Sequence, residues 1–426
     1  MQTTQTSLEL GQAVWEAVLE RGCGLDVHQK TVTACLLIGP LEEQPRESLR
    51  TFHTTTRGLL ALRDWLQQNG CTHVAIESTG IYWRPVFHIL EDVVTVLLVN
   101  ARHMKQVPGR KADLKDAQWV ARLLRWGLLK PSLIPPTPIR DLRDLCRYRR
   151  KLIEQTSAEK NRVQKVLEDA NIKLATVASN VFGVSGQAMI RALLETDMTP
   201  EEMANLAKGK LREKIPQLIE ALEGEVSEHH RFLIRMHLEH MGYLKEAVAQ
   251  LDERIEEKIQ PYQRQVEIIR TTPGFDTASA QHAFVEIGGD IGLFPSEKHL
   301  ASWAGLCPGN NESAGKQKSG RTTKGNVWLK CILVQTAHAS CRTKDTYLKS
   351  FYRRVATRRG KGRAIIAVAH KQVRAIYHEL REDKSYRELG GDFFDRLNQK
   401  ALEQRLTRRL EDLGYRVELS PLDCTT

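Results

Sequence analysis

Long hydrophobic runs are missing from this sequence. Its purely apolar stretches are short, Val96-Leu97-Leu98-Val99 among them, and fall far below the roughly 18 residues a membrane-spanning helix needs. The first residues, Met1-Gln2-Thr3-Thr4, show no basic segment leading into an apolar core, so the expectation is a cytoplasmic protein with no membrane partner. Paired cysteines are missing too. The eight cysteines, Cys23, Cys35, Cys71, Cys146, Cys307, Cys331, Cys341 and Cys424, include no Cys-x-x-Cys pair. They read as reduced thiols, which speaks against a zinc site built on cysteine. Internal repeats and low-complexity tracts are also lacking. Aromatic residues make up only 6%, but the hydrophobic share of 41% is enough for buried cores and excludes a disordered chain. At 426 residues the chain has room for two to four domains.

What the sequence has is positive charge, unevenly placed. The net charge is +11. Asn310 to Leu380 alone contains 16 Lys and Arg against 3 Asp and Glu, a net of +13, so the remainder carries −2. A second cluster, Arg102 to Lys130, has 8 Lys and Arg against Asp113 and Asp116 only. A merely soluble surface would spread its charge. Local excess is the electrostatic footprint of polyphosphate binding. No amphipathic helix with a bulky apolar face accompanies it, as a membrane surface would require.

Hydrophobic spacing predicts an α/β region followed by a mostly helical remainder. Strands are expected over Cys23–His28, Thr31–Ile38, Ser48–Thr54, Thr72–Ile76 and Val93–Val99. Helices are expected over Arg57–Gln68, Tyr82–Leu90 and Asp113–Leu129, giving the order β-β-β-α-β-α-β-α. Val93–Val99 reads as a strand buried on both faces. Two long mixed-charge helical stretches, Ile139–Leu174 and Glu228–Ile269, flank a short insert punctuated by Pro200 and Pro216. They suggest an antiparallel coiled-coil arm, or equally a helical bundle. The expected domains are an N-terminal extension (1–20), an α/β catalytic domain (21–132), a helical arm (133–265), a basic domain (266–386) and a helical tail (387–426).

The acidic residues carry the first chemical signal. Asp26 lies inside the apolar strand Gly24-Leu25-Asp26-Val27, and Glu77 closes the strand after Val74-Ala75-Ile76. A carboxylate in such a place is costly unless something pairs with it. Asp113 and Asp116 are three apart on an expected helix and share a face. Each alone reads as a cap or a surface charge. Together they are the hard oxygen donors that hold Mg²⁺ or Mn²⁺ for an in-line phosphoryl displacement.

The segments Gly24-Leu25-Asp26-Val27-His28, Ile76-Glu77-Ser78-Thr79-Gly80 and Lys111-Ala112-Asp113-Leu114-Lys115-Asp116-Ala117 resemble the Asp-Glu-Asp-Asp signature of IS110-family transposases. The resemblance runs from about Arg21 to about Leu380. It implies an RNase H-like (RuvC-like) N-terminal domain with Asp26, Glu77, Asp113 and Asp116 as catalytic metal ligands. Leu300 to Gly309, Asn311-Glu312-Ser313-Ala314-Gly315-Lys316 and Gly320-Arg321-Thr322-Thr323-Lys324-Gly325-Asn326 are similar to the C-terminal domain of the same family. There a serine in a Lys/Gly-rich loop attacks DNA. The match implies Ser313 as nucleophile, with Ser319 as the alternative. Lys316, Lys318, Arg321 and Lys324 would line the DNA, joined by Arg102 and Lys105. A serine hydroxyl is weak until activated and needs nearby cations to meet a phosphodiester.

The resemblance further implies donor and target DNA as partners, a structured guide (bridge) RNA, a covalent protein–DNA intermediate and a dimer or tetramer joined through the arm. Two rivals stay open. A RuvC-like nuclease of branched DNA would use metal-activated water, with Ser313 only gripping phosphate. A nucleic-acid-binding protein without catalysis would use neither. The turn Thr272-Pro273-Gly274-Phe275 before a helix over Thr277–Ile287 offers backbone N–H groups to a phosphate, or is a plain loop. His237-Leu238-Glu239-His240 is one residue short of a zincin pattern and reads as surface. His28 and His370 draw no role from their spacing.

Overall fold

A computed structural model describes residues 8–10, 13–15, 17–78, 80–100, 104, 116–195, 198–309, 311–313 and 316–420. The chain forms two compact units, Met1–Ile134 and Pro135–Thr426.

The first unit opens with a short antiparallel pair, β1 (Leu8–Leu10) and β2 (Ala13–Trp15). Its body is a five-stranded sheet of β3 (Arg21–Val27), β4 (Thr31–Ile38), β5 (Arg46–His53), β6 (His73–Glu77) and β7 (Thr95–Val99), in the order β5-β4-β3-β6-β7. The first three strands form an antiparallel meander, whereas β6 and β7 join parallel to β3. Parallel pairing needs crossovers, and helices α1 (Thr56–Gln68) and α2 (Trp83–Leu90) supply them. Thr55 caps α1 by accepting from the Gly58 N–H, and the α1 residues Leu59, Leu62, Trp65 and Leu66 bury at helical spacing. They meet Cys23, Leu25, Val74 and Ile76 on one sheet face.

Helix α3 (Asp116–Arg125) covers the opposite face. There the strands present Gly22, Gly24 and Ala75, so the helix can come close. A Cβ on Gly24 would stand 2.3 Å from the Ala121 nitrogen and 2.4 Å from the Ala117 oxygen. Only glycine fits there. The helix stops short of the expected Leu129 because Gly127 takes the left-handed conformation, φ +65°. The Leu128 N–H then closes back on the Leu123 carbonyl. Asp113, Arg102 and Lys105 lie outside the described residues, so the shared helical face expected of Asp113 and Asp116 does too. The cysteines described are free thiols, Cys23, Cys35, Cys71 and Cys146 buried.

The second unit is helical. Its longest elements, α4 (Thr137–Asp169) and α9 (Glu228–Ile259), pack antiparallel. Asp169 pairs with His230, Glu159 with His237 and His240, Arg149 with Asp252, and Asp141 with Lys258. His237 and His240 therefore hydrogen-bond a buried carboxylate, with His240 exposed as expected and His237 half-buried. Four short helices bridge the pair: α5 (Leu174–Val177), α6 (Val184–Glu195), α7 (Pro200–Ala204) and α8 (Ile215–Leu222). Met189, Ile190, Leu218 and Leu222 from them pack with Val163, Leu167 and Ile234 of the long helices. The helix expected to reach Ile269 breaks at Gln260–Tyr262, a 3₁₀ turn holding Pro261, whose missing N–H cannot continue the ladder.

Beyond that break come α10 (Gln263–Thr271), α11 (Thr277–Ile287), α12 (Glu297–Trp303), a β8–β9 hairpin (Asn311–Ser313, Lys316–Ser319), α13 (Val327–Ser340), α14 (Tyr347–Arg359) and α15 (Lys361–Glu382). Helices α16 (Phe393–Leu397) and α17 (Gln399–Glu411) finish the described chain. Helix α15 is the spine, burying Ile365, Val368, Ala369, Val373, Ile376 and Tyr377. Among the described residues no helix is long and apolar enough to cross a membrane.

Candidate active site

Asp26 is the sixth residue of the seven-residue strand β3, near its end rather than at its middle. Strand alternation puts it on the same face as Gly24, the face that carries α3. The last paired residues of β3 and β6 are Leu25 and Ile76, so Asp26 and Glu77 follow side by side at the strand ends. Asp116 begins α3, one residue before the Ala117 that touches Gly24. Register, alternation and one close helix–strand contact thus place three of the four expected acids at one end of the sheet, though among the described residues no three acids stand close enough together to hold a metal ion.

The electrostatics agree. Burial raises the Asp26 carboxyl above its usual range, His28 pulls it down, and the neighbouring Asp116 and Glu77 carboxylates push it up again. The balance is upward. Groups of one sign crowded together resist ionising together, and a cation between them removes that penalty. The donor set is all oxygen, which suits a hard divalent ion over a transition metal that prefers nitrogen or sulfur. His28 is the residue that spacing missed. Its Nε2 lies 3.1 Å from Asp26 Oδ2. The signal was available, because an Asp-x-His pair at a strand end puts both side chains on one face.

In the second unit the expected serine loop is a hairpin. Cys307 and Gly309 pair with Thr323 and Arg321 through backbone hydrogen bonds of 3.0 and 2.9 Å. Pro308 bridges Thr322, and β8 continues against β9 with Ser313 opposite Lys316. Ser313 is the last residue of β8, at the turn end. Ser319 closes β9 at the opposite end, paired with Asn311. The register shifts between Asn311 and Glu312, and the paired stretches on either side satisfy backbone groups that an open loop would leave to solvent. Arg321 and Lys324 follow as exposed residues. Exposed Arg353, Arg354, Arg358, Arg359, Lys361 and Arg363 continue the basic surface along α14 and into α15.

The hairpin's exit is anchored by a buried carboxylate that sequence reasoning did not single out. Glu286 on α11 is fully buried. Arg147 of α4 grips it in two bonds, Nε to Oε1 at 2.6 Å and Nη2 to Oε2 at 2.8 Å. Asn326 donates to Oε2 at 2.8 Å while its own oxygen caps α13 through the Trp328 and Leu329 N–H groups. His282 Nε2 stands 3.7 Å off as an electrostatic neighbour. Burial would raise the Glu286 carboxyl, but His282, Arg147 and Asn326 outweigh it and hold it at about 2. The clue was an acid inside the apolar run Ala283-Phe284-Val285-Glu286-Ile287.

The Thr272–Phe275 turn is not an anion site. Thr272 is fully buried, and Asp276 caps α11 with its own carboxylate, accepting from the Ser279 N–H at 2.8 Å. A negative side chain on that helix start leaves no place for a phosphate.

Comparison with known proteins identifies the chain. Residues 23–172 match the transposase model for the DEDD domain of IS110 elements. Residues 266–353 match the model described as transposase IS116/IS110/IS902 family. A probable family 20 transposase of Pseudomonas aeruginosa is 24% identical over 333 residues, 76% of this chain and 89% of that protein. The transposase for insertion sequence element IS1111A of Coxiella burnetii is 22% identical over 325 residues, 75% of this chain and 79% of that one. A pilin gene-inverting protein of Moraxella bovis is 23% identical over 380 residues, 85% and 96% of the two chains. The protein is a transposase, an enzyme class that recombines DNA by phosphoryl transfer, and its N-terminal domain is of the RuvC-like DEDD kind. The two models together span more than half of the chain, and the protein belongs to the IS110 family.

Proposed function

We propose that the chain is a site-specific recombinase of an insertion sequence with a composite active site. The observation that carries this is the placing of Asp26, Glu77 and Asp116 at two strand ends and a helix start, with Asp26 raised by burial first and by the other two carboxylates second. Asp113 completes the set by the family signature. Mg²⁺, or Mn²⁺, bound there would draw charge from the scissile phosphate. Ser313 Oγ attacks that phosphorus. The Ser313 O–P bond forms, the bond to the leaving DNA oxygen breaks, the serine proton passes to a base and the departing oxygen takes up a proton. A hydroxyl from the other strand reverses the step and frees the serine. Lys316, Lys318, Arg321 and Lys324, with Arg102 and Lys105, offset phosphate charge.

In this reading residues 21–132 form the catalytic domain, 133–265 the coiled-coil arm that joins a dimer or tetramer, and 266–386 the basic serine domain. A bridge RNA selects donor and target DNA. The test is adduct trapping on the element's own ends. Wild-type protein with Mg²⁺ is expected to give a denaturant-stable protein–DNA band, and Ser313→Ala none. Cleavage by Ser313→Ala without an adduct overturns the serine mechanism in favour of a hydrolytic nuclease. Retention of the adduct by Ser313→Ala moves the nucleophile to Ser319.

A further inference from the structure

Beside the hairpin stem lies a cavity of about 690 Å³, within the range of small-ligand sites. Its walls come from three places. Leu306 and Pro308 lead into β8, Gly320, Arg321 and Thr322 lead out of β9, and Phe351 of α14 faces Ile366, Ala367 and His370 of α15. Its apolar lining includes one aromatic ring. Arg321, Arg363 and Lys371 add positive charge, and among the described residues none of the lining is acidic. Lys371 Nζ stands 5.6 Å from the Phe351 ring centre, so cation and ring form one mixed surface. An apolar lining that offers an aromatic ring and three cations matches the chemistry of a nucleotide, the ring for its base and the cations for its phosphates.

We propose that this cavity takes a single unstacked nucleotide of the DNA strand that Ser313 cuts. The proposal rests on the serine reading above and adds a site to it. Ser313 is five residues beyond Pro308, roughly 17 Å along an extended strand, so the captured nucleotide lies within a few positions of the scissile phosphate. A duplex base is sealed in its stack, and taking one out bends the backbone and bares the neighbouring phosphate. His370 is a further polar group of the lining. Burial, with Arg374 and Lys371 beside it, holds its imidazole below the ordinary value, leaving one ring nitrogen to donate and one to accept against a base edge.

The experiment measures binding without chemistry, using full-length Ser313→Ala protein in EDTA. The probes are a single-stranded oligodeoxynucleotide carrying one 2-aminopurine, the duplex of the same sequence and the matching oligoribonucleotide. The single-stranded DNA is expected to change the aminopurine fluorescence on binding. Ala367→Trp, which fills the slot, is expected to abolish that change and weaken single-strand binding about tenfold, with duplex affinity within twofold. Phe351→Leu keeps the volume, loses the stack and is expected to give a partial loss in protein whose thermal melt matches the parent. Unchanged single-strand binding by folded Ala367→Trp overturns the site. Equal or stronger protection of the RNA overturns its assignment to DNA. Because no cleavage is read, failure of the serine mechanism shows separately, as a missing adduct in the wild type.

Discussion

The two functional regions are built on opposite logics. In the first unit, one sign of charge gathers on a rigid frame: strand ends and a helix start that the backbone ladder fixes in register. In the second, the other sign spreads over a hairpin and two helices, and a buried ion cluster behind them supplies the rigidity. A cation's ligands must converge within fractions of an ångström, so they belong on a sheet. A group that meets a long polyanion needs reach and breadth, so it belongs on a hairpin. The contrast shows where each region is fragile: the carboxylate site in its geometry, the basic site in its anchor.

The sharpest break in the comparison is Asp26→Asn. It exchanges one carboxylate oxygen of the proposed metal site for an amide nitrogen, removes the negative charge and barely changes the shape. Strand exchange should fall at least about a thousandfold while DNA affinity stays within about twofold. Single-turnover cleavage and filter binding on the same protein check this. A folded variant with wild-type exchange ends the metal-site reading.

Next in size is the anchor. Glu286→Gln leaves the partly buried Arg147 without its charge partner and should cost on the order of 3 kcal/mol in chemical denaturation. The wild-type contribution has a sign in pH. With the folded carboxyl at about 2, below the ordinary 4.5, the stability is fully present above pH 4.5. It drains away as the pH falls toward 2. The gap between wild type and variant should therefore close in acid.

Glu379 provides the opposite case within the same unit. It is buried on α15, accepts from Thr272 Oγ1 at 2.8 Å and is pushed by burial up to about 7. A raised acid favours the folded state below pH 4.5, and the advantage is lost as pH rises through 7. Glu379→Gln should stabilise the protein at pH 8 by on the order of 3 kcal/mol, and by little at pH 4.5. Melting curves at the two pH values settle it.

The smallest effect probes the frame. Gly24→Ala drives a methyl into the α3 backbone and should cost about 1–3 kcal/mol. Its Mn²⁺ affinity, read by calorimetry, should fall more than its stability, because α3 carries Asp116. Equal loss of both would mean that the frame and the site are not coupled.

Much of this was legible in the sequence. The five strands of the main sheet and helices α1 and α2 follow from alternation and 3.6-residue spacing, although β7, expected to be buried on both faces, is an edge strand with Thr95 exposed. That Asp26 and Glu77 could share a site was suggested by two acids on apolar strands and sharpened by the family signature. No local pattern says that β6 will cross over and lie parallel beside β3. Gly24 reads as an ordinary strand glycine until α3 is seen resting on it. The hairpin around Ser313 was hidden because Lys, Gly and Ser have weak strand propensity, and the pairing of its stem decides the matter instead. Glu286 was hidden for a different reason: its partners come from residues 147 and 326, far apart in sequence.

That last joint has a mechanical consequence. Arg147 and Asn326 grip the same carboxylate, so α4 and the chain leaving the serine hairpin share a pivot. From residue 147 to the end of α4 at Asp169 is about 33 Å of helix. A tilt of one degree about the pivot moves the far end by about 0.6 Å. The long helix is a lever with the hairpin's root at its fulcrum. Forces applied at its tip reach the root of the hairpin as torque, and movements of the hairpin return to the tip magnified.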